Sequence, residues 1–509
     1  MSWASRRWEH FNVSGRHRRT LACYYTARPA HYKRERFLAT FPTPSDQSGN
    51  PSGADRAPLA TPVILPRAGH TITRADVSPQ ALKVLYRLKD AGYQAFLVGG
   101  SVRDLLLGVR PKDFDVATDA LPEEVRRLFR NCRLIGRRFR LAHVHYGDEI
   151  IEVATFRAAA APAEVDDEDH RENDDDARAH DHSGRILRDN LYGTIDADVW
   201  RRDFTANALY YNIADFSVWD YVGGVEDVRS RVLRLIGDPE VRYREDPVRM
   251  LRAARFAAKL NFTLHPATRA PMRELATLLG GVPAARLFDE CTKIFLGGHA
   301  VAGLDRLIEF DLLPHLLPAV AEELERDPQG GAARLLRLGL ANTDERVAAE
   351  RSVTPTFLFA VLLYGPIMRL AATYAEDGMP DAQAFAAAAD VVVMAQVRRV
   401  AVPKRFTLPL REMLGLQPRF ERRDGRKTLA LLNHPRFRAA YDLFVLRAEA
   451  GLVPVELAQW WTDLQAASSE ERLARIEQLS PETAEASGDQ PRRRRRRRGG
   501  GGGGGHPAA

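Results

Sequence analysis

The sequence predicts an α+β protein, a head built on a mixed sheet followed by an all-helical remainder. Three observations carry this. A strand, a Gly99-Gly100 turn and a helix follow one another over residues 95–108; a second strand and a β-hairpin come soon after; and beyond about residue 229 strand signals fade and amphipathic helical spacing takes over.

Residues 1–67 mix Arg, Ser, Pro and Gly with little periodicity and read as a basic, disordered extension. The Arg-rich, acid-poor opening superficially suits a transit peptide; an optional extension or a start codon placed too early fits it as well. Order begins near Ser78, where Leu82, Val84, Leu85 and Leu88 recur at helical spacing until Gly92 stops the pattern. Strand 95–98 ends at Gly99-Gly100, and Ser101, with Asp104 three residues on, caps a helix that runs to Gly108. Residues 113–118 form the second strand, Pro122 lies in the first turn of a helix, and 144–146 and 149–156 flank Gly147-Asp148 as a hairpin.

The head so defined spans 68–228. An insert at 158–184 interrupts it, rich in acids such as Asp166, Asp167, Glu168, Asp169 and Asp174–Asp176; it lacks the ligand spacing and turn glycine of an EF-hand and reads as a disordered, solvated loop. A helical neck follows at 229–325, a helical C-terminal RNA-binding region at 326–465 and a disordered Arg/Gly-rich tail at 466–509. Helices are expected at 247–260, 271–279, 284–295, 300–310, 332–340, 357–364, 382–397 and 428–446. No fixed-period repeat is present, which disfavours a solenoid.

The net charge of +7 equals what the arginine run at 492–498 supplies, so the basicity is a property of the tail. Such a run attracts polyanions, because each Arg that meets a phosphate releases condensed counterions; a solubilising terminus is the plainer alternative. Cys23, Cys132 and Cys291 are isolated, too few for a disulfide framework or a thiolate metal site, and suit a reducing, cytoplasmic compartment. The most apolar stretches, such as 357–364, fall far short of the roughly 20 residues needed to cross a bilayer, so no transmembrane segment is expected.

The chemistry concentrates at Gly99-Gly100-Ser101-Val102-Arg103-Asp104 and Asp113-Phe114-Asp115. Residues two apart on a strand share a face, so Asp113 and Asp115 present two carboxylates while Phe114 turns into the core. Two adjacent like charges call for a cation, and for oxygen ligands that is a divalent ion such as magnesium. The glycines let backbone N–H groups approach a phosphate, with Arg103 as a charge-matched donor.

In order and spacing these residues resemble the head motif of the class II nucleotidyltransferases, the polymerase-beta-type group that holds bacterial poly(A) polymerases and CCA-adding enzymes. Arg201-Arg202-Asp203-Phe204-Thr205-Ala206-Asn207 is similar to the family's second motif, in which the arginines and asparagine meet the nucleotide's sugar and phosphates. Glu245-Asp246-Pro247-Val248-Arg249, with Arg252 and Arg255-Phe256, is similar to its base-reading motif. Helix geometry agrees: Asp246 before Pro247 starts a helix, and Arg249 falls on the turn facing Asp246 and Arg252.

The resemblance implies attack of an RNA 3′-hydroxyl on the α-phosphorus of ATP, assisted by Mg2+ on Asp113 and Asp115. For a third carboxylate it points to Asp203, whereas strand geometry also permits Glu152. Leu134–Val144, with its Arg137-Arg138-Phe139 run, resembles the segment that marks bacterial poly(A) polymerases; the helices from about Arg398 to Trp461, with the basic stretch 419–427, resemble their C-terminal region. Polyadenylation that promotes RNA turnover is therefore the expected activity, with RNA 3′ ends and ATP as partners and RNA-decay machinery and RNA chaperones as candidate protein partners. A CCA-adding enzyme and a non-catalytic RNA-binding protein on the same fold are the alternatives. His143 and His145 share a strand face and are assigned to packing, as are Tyr210-Tyr211 and Trp460-Trp461.

Overall fold

The computed structural model describes residues 61–136, 140–158, 179–180, 186–188, 192–423 and 425–477. The expectations for the first 60 residues, most of the acidic insert, Arg137-Arg138-Phe139 and the tail beyond 477 lie outside the described residues. Everything described belongs to one unit, residues 55–509.

The head is an eight-stranded mixed sheet. Its strands are β1 (Val63–Leu65), β2 (Ala95–Val98), β3 (Asp115–Thr118), β4 (Cys132–Ile135), β5 (Leu141–Tyr146), β6 (Glu149–Thr155), β7 (Leu209–Asn212) and β8 (Val218–Asp220). They lie in the order β1-β8-β7-β2-β3-β6-β5-β4, antiparallel except for the β3/β6 pair. That one parallel pair needs a crossover, supplied by a helix (Pro122–Leu128) and the outer strands β4 and β5. Central β2 is buried along its whole length, because helix α1 (Pro79–Asp90) covers one face and a cluster around Phe96, Val98, Phe156, Val199 and Tyr210 fills the other.

The head starts earlier than the expected boundary at residue 68. Val63–Leu65 pairs with β8 at the sheet edge. A three-residue edge strand with two exposed side chains is too short to give a periodic signal.

Two local expectations also change at the turn. Strand β3 begins at Asp115 rather than Asp113, because Val98 pairs with Asp115 and the residue that would pair with Asp113, Gly100, already opens helix α2 (Gly100–Leu106). Gly99, at φ +74°, starts that helix as its N-cap, so Ser101 does not cap it and instead donates its hydroxyl to the Val98 carbonyl at 2.9 Å.

Register then aligns one row of side chains across the sheet. His143 pairs with Glu152, Glu152 with Asp115, Asp115 with Val98, and Val98 with Tyr210. Directly paired residues project to the same face, so this row sets which groups can meet above the glycine turn.

Within the head, helix α3 (Ile195–Arg201) leads into the second motif. Beyond the head helices dominate, apart from a short parallel pair of Val232–Leu233 with Thr263–Leu264; α4 (Pro239–Glu245) and α5 (Val248–Leu260) carry the neck motif, and α6 (Ala284–Phe295) packs against α5. The expected helix at 428–446 is two, Gly425–Leu432 and Phe437–Glu449, because Pro435 lacks an N–H and disfavours helix at the residue before it. The apolar run 357–364 lies inside a 22-residue helix, Pro355–Glu376, which by length and composition would suffice to cross a membrane; its apolar window is 61% buried against neighbouring helices, as in a core. Tyr210, Tyr211 and Trp461 are fully buried, as expected of packing residues.

Candidate active site

The carboxylates meet where β2 ends and β3 begins. Phe114 is buried and anchors the strand, leaving the flanking Asp113 and Asp115 exposed. Glu152 stands directly beside Asp115 on β6. The tip of Asp115 stays open to solvent, while burial and the charges of Glu152 and Asp113 push its carboxyl up to about 6 against an opposing pull from Arg202. Among the described residues neither Asp113 nor Asp115 has an ion-pair partner. Glu152 has only His143, with Nε2 at 3.5 Å from its Oε1, so His143 touches the site rather than merely packing.

Uncompensated acids of this kind fit a divalent cation. Among the described residues no group of three or more His, Cys, Asp or Glu could hold a metal ion unaided. Mg2+ keeps several waters and binds through one or two carboxylates plus substrate phosphates, so Asp113 and Asp115 would suffice on the protein side.

The glycine turn is packed from below. A Cβ at Gly100 would approach Arg103 Nη2 to 3.3 Å, and one at Gly99 would lie 3.6 Å from Arg202 Nη1 in a backbone conformation that L residues rarely adopt. Arg103 was expected at a phosphate. It is instead 2% exposed, its Nε and Nη2 donating to Asp104 Oδ1 at 2.9 and 2.7 Å and its Nη1 to Asn207 Oδ1, so it and Asn207 brace the turn from inside. Arg202 is the cation that runs along the turn; its Nη1 also reaches the Asn207 carbonyl at 3.4 Å. Arg201, half-buried, ends α3.

Both carboxylate oxygens of Asp203 are engaged. Its Oδ2 accepts from Arg252 Nε and Nη2 at 2.8 and 2.5 Å, and its Oδ1 accepts from the Phe204 amide at 2.8 Å and Asn207 Nδ2 at 3.3 Å. Burial raises its pKa, but Arg252 more than reverses this and holds the carboxyl below its ordinary value. A carboxylate with both oxygens so occupied joins head to neck, and the acid that strand register sets beside Asp115 is Glu152.

In the neck Asp246 and Arg249 meet through the backbone, the Arg249 amide donating to the Asp246 carbonyl at 3.0 Å, while their side chains take other partners. Arg249 Nη1 donates to Glu245 Oε2 at 2.8 Å and to the Arg242 carbonyl at 2.7 Å, while Asp246 Oδ2 accepts from Arg286 Nη2 of α6 at 2.9 Å. Arg249 is also 8% exposed rather than at an open helix start, because α4 folds over it. Arg255 donates its Nε to the buried Glu290 at 3.0 Å, and Arg103, Arg252 and Arg255 all lie over the Phe256 ring, at 5.7, 5.4 and 4.3 Å. Sequence reasoning placed Glu245 in the motif without giving it a role, and missed Arg286 and Glu290. It also missed Lys259 in the last turn of α5, whose pKa burial lowers and whose charge is felt by Asp104 and Asp113.

Comparison with known proteins covers most of the chain. Residues 95–234 match a family model described as "Poly A polymerase head domain", 261–324 one described as "Probable RNA and SrmB-binding site of polymerase A", and 377–499 one described as "Polymerase A arginine-rich C-terminus". Poly(A) polymerase I of Salmonella typhi is 48% identical over 424 residues, 83% of this chain and 90% of that protein. A CCA-adding enzyme of Lactobacillus helveticus is 37% identical over 225 residues, covering only 44% of this chain and 52% of its own. A solved tRNA-processing enzyme in an apo form is 21% identical, with a TM-score of 0.51 over 81% of this chain and 98% of that one, and so shares the fold.

Proposed function

The chain belongs to the bacterial poly(A) polymerase I family and adds AMP to RNA 3′ ends, and we propose that it does so at Asp113, Asp115 and Glu152, with the ATP triphosphate on the Gly99-Gly100 turn and adenine read from the neck. The observation that carries this reading is the pair of carboxylates, Asp115 and Glu152, set side by side by strand register beside a glycine turn and without an Arg or Lys ion pair among the described residues.

Asp113 and Asp115 would hold the cation, and Glu152 would complete the acidic set from the next strand. The ion, Mg2+ in our reading, supplies charge neutralisation for the departing pyrophosphate and acidifies the RNA 3′-hydroxyl when bound. Arg202, beside Gly99, faces the triphosphate with a fixed positive charge. Arg249 presents donors to the base while Glu245 and the Arg242 carbonyl fix its geometry; Arg286 fixes Asp246 likewise. A reading group that cannot reorient accepts one pattern of base edge, which favours repeated addition of a single nucleotide. The cytoplasm is the setting we assign. RNA-decay machinery and RNA chaperones are the protein partners we expect, supported by the match of 261–324 to a probable RNA- and SrmB-binding region.

Primer extension tests this. With Mg2+, the purified protein should add many A residues to an unstructured RNA, use CTP poorly and stop when the cation is chelated. Incorporation of C first, or dependence on a tRNA acceptor stem, would contradict the assignment of the neck.

A further inference from the structure

Arg202 is held by an unusually closed arrangement. Its Nε donates to the Tyr210 hydroxyl at 2.8 Å and to Asp198 Oδ2 at 3.2 Å, its Nη2 donates to the same Asp198 oxygen at 3.0 Å, and the Tyr210 hydroxyl donates to that oxygen at 2.7 Å. The guanidinium also lies over the Tyr210 ring, 4.9 Å from its centre. Each of the three groups therefore contacts the other two. Tyr210 is fully buried, and the Asp198 and Arg202 side chains are 13% and 21% exposed, so water has little access to replace a lost bond.

Charge neutralisation of Arg202 needs Asp198 alone. The additional tyrosine bond adds orientation, not charge. The contacts to Tyr210, Asp198 and the Asn207 carbonyl use three of the five guanidinium N–H groups, one on each nitrogen, which leaves donors on both Nη atoms, and Nη1 is the nitrogen nearest Gly99. The arrangement is also tied to the reacting end of the head. Tyr210 pairs with Val98 and Val98 with Asp115, so the anchor and the catalytic carboxylate occupy one row, and the positive charge of Arg202 already acts on Asp115.

We propose that Asp198 and Tyr210 are positioning residues for nucleotide addition, acting through Arg202 to hold its guanidinium ready for the triphosphate. This rests on the assignment of Arg202 to the phosphate side of the site. Holding the side chain in advance removes the ordering cost that each binding event would otherwise carry.

A double-mutant cycle on the full-length protein tests it, with the KM for ATP, kcat, RNA affinity and thermal midpoint measured at saturating RNA primer. Tyr210→Phe keeps the ring and removes only the hydroxyl. It should raise the KM for ATP by about fivefold with RNA affinity unchanged, Arg202→Ala should raise it by about tenfold or more, and Tyr210→Phe should add nothing in the Arg202→Ala background. If Tyr210→Phe does not fold, Asp198→Asn takes its place in the cycle with the same expectation. An unchanged KM in Arg202→Ala would overturn the placement of Arg202 itself. A raised KM in Arg202→Ala, with either no effect of Tyr210→Phe or an effect undiminished in the double variant, would overturn the positioning role while leaving the site reading intact.

Discussion

In the head, Asp115 feels the like charges of Glu152 and Asp113 without an Arg or Lys ion pair among the described residues; in the neck, every charged group of the corresponding motif already has an opposite partner. Arg249 is paired with Glu245, Asp246 with Arg286, Arg252 with Asp203 and Arg255 with Glu290. The difference separates two ways of using charge. Like charges packed together keep a potential that only an incoming cation and its phosphates relieve, so the head depends on its ligands. The neck is satisfied in advance, so ligand binding costs it little reorganisation and its donors keep one geometry. Arg255–Glu290 is the most buried of these pairs, and removing one partner of a buried pair costs about 3–5 kcal/mol, whereas Arg286 of the Asp246 pair is 43% exposed and its loss costs far less. Changes in the neck should therefore register in folding as well as in selectivity, whereas changes in the head should register in chemistry.

The largest expected effect lies in the head. Asp113→Ala or Asp115→Ala should lower AMP incorporation by about 10³-fold or more, since charge stabilisation by a bound cation is worth several kcal/mol in the transition state. RNA affinity should stay within about twofold, because phosphate contacts elsewhere supply it. Residual activity within tenfold of the parent would erase the distinction.

Arg249→Ala comes next. It should reduce the ATP over CTP preference by about 10- to 100-fold, the range of one lost buried polar contact. Unlike the head variants it should also lower the thermal midpoint, because Glu245 and the Arg242 carbonyl lose a buried donor. Lost preference without lost stability would show that the neck is less preorganised than its ion pairs indicate.

The extent to which each region could be read from sequence follows the same division. The head site is local: Gly99 to Asp115 is one continuous stretch, and the alternation expected of a strand puts Phe114 inside and the two aspartates outside, as they are found, although the strand itself begins only at Asp115. That Glu152, which strand geometry permits, stands directly beside Asp115 needed the β3/β6 register, a parallel pairing that no turn chemistry reveals. The neck is non-local. Asp203 meets Arg252 across 49 positions, Asp246 meets Arg286 across 40 and Arg255 meets Glu290 across 35. An i, i+3 argument on one helix reaches only Asp246 and Arg252 from Arg249, so it misses Glu245, which α4 folds back onto it. Arg103 was misplaced for a related reason: its burial depends on Asn207, a residue 104 positions away.

The smallest expected effect is on stability. Asp115 in the metal-free fold has its carboxyl raised from 3.8 to about 6. A raised folded-state pKa means that folding is favoured by the protonated form, an advantage present below about pH 4 and lost as the pH rises through 6. Asp115→Asn should therefore raise the thermal midpoint of the metal-free protein at pH 7, and the gain should vanish towards pH 4. A gain independent of pH would mean that crowding of like charge in the head is not its source.

The contrast between a ligand-dependent head and a self-paired neck comes down to where Asp203 belongs. Divalent-ion affinity, measured by Mn2+ titration of the full-length protein without nucleotide, decides it directly. Glu152→Gln should weaken ion binding by about tenfold, whereas Asp203→Asn, whose loss falls on Arg252, should leave ion affinity within about twofold and lower the thermal midpoint. The reverse pattern, with Asp203→Asn abolishing ion binding and Glu152→Gln leaving it intact, would contradict the account.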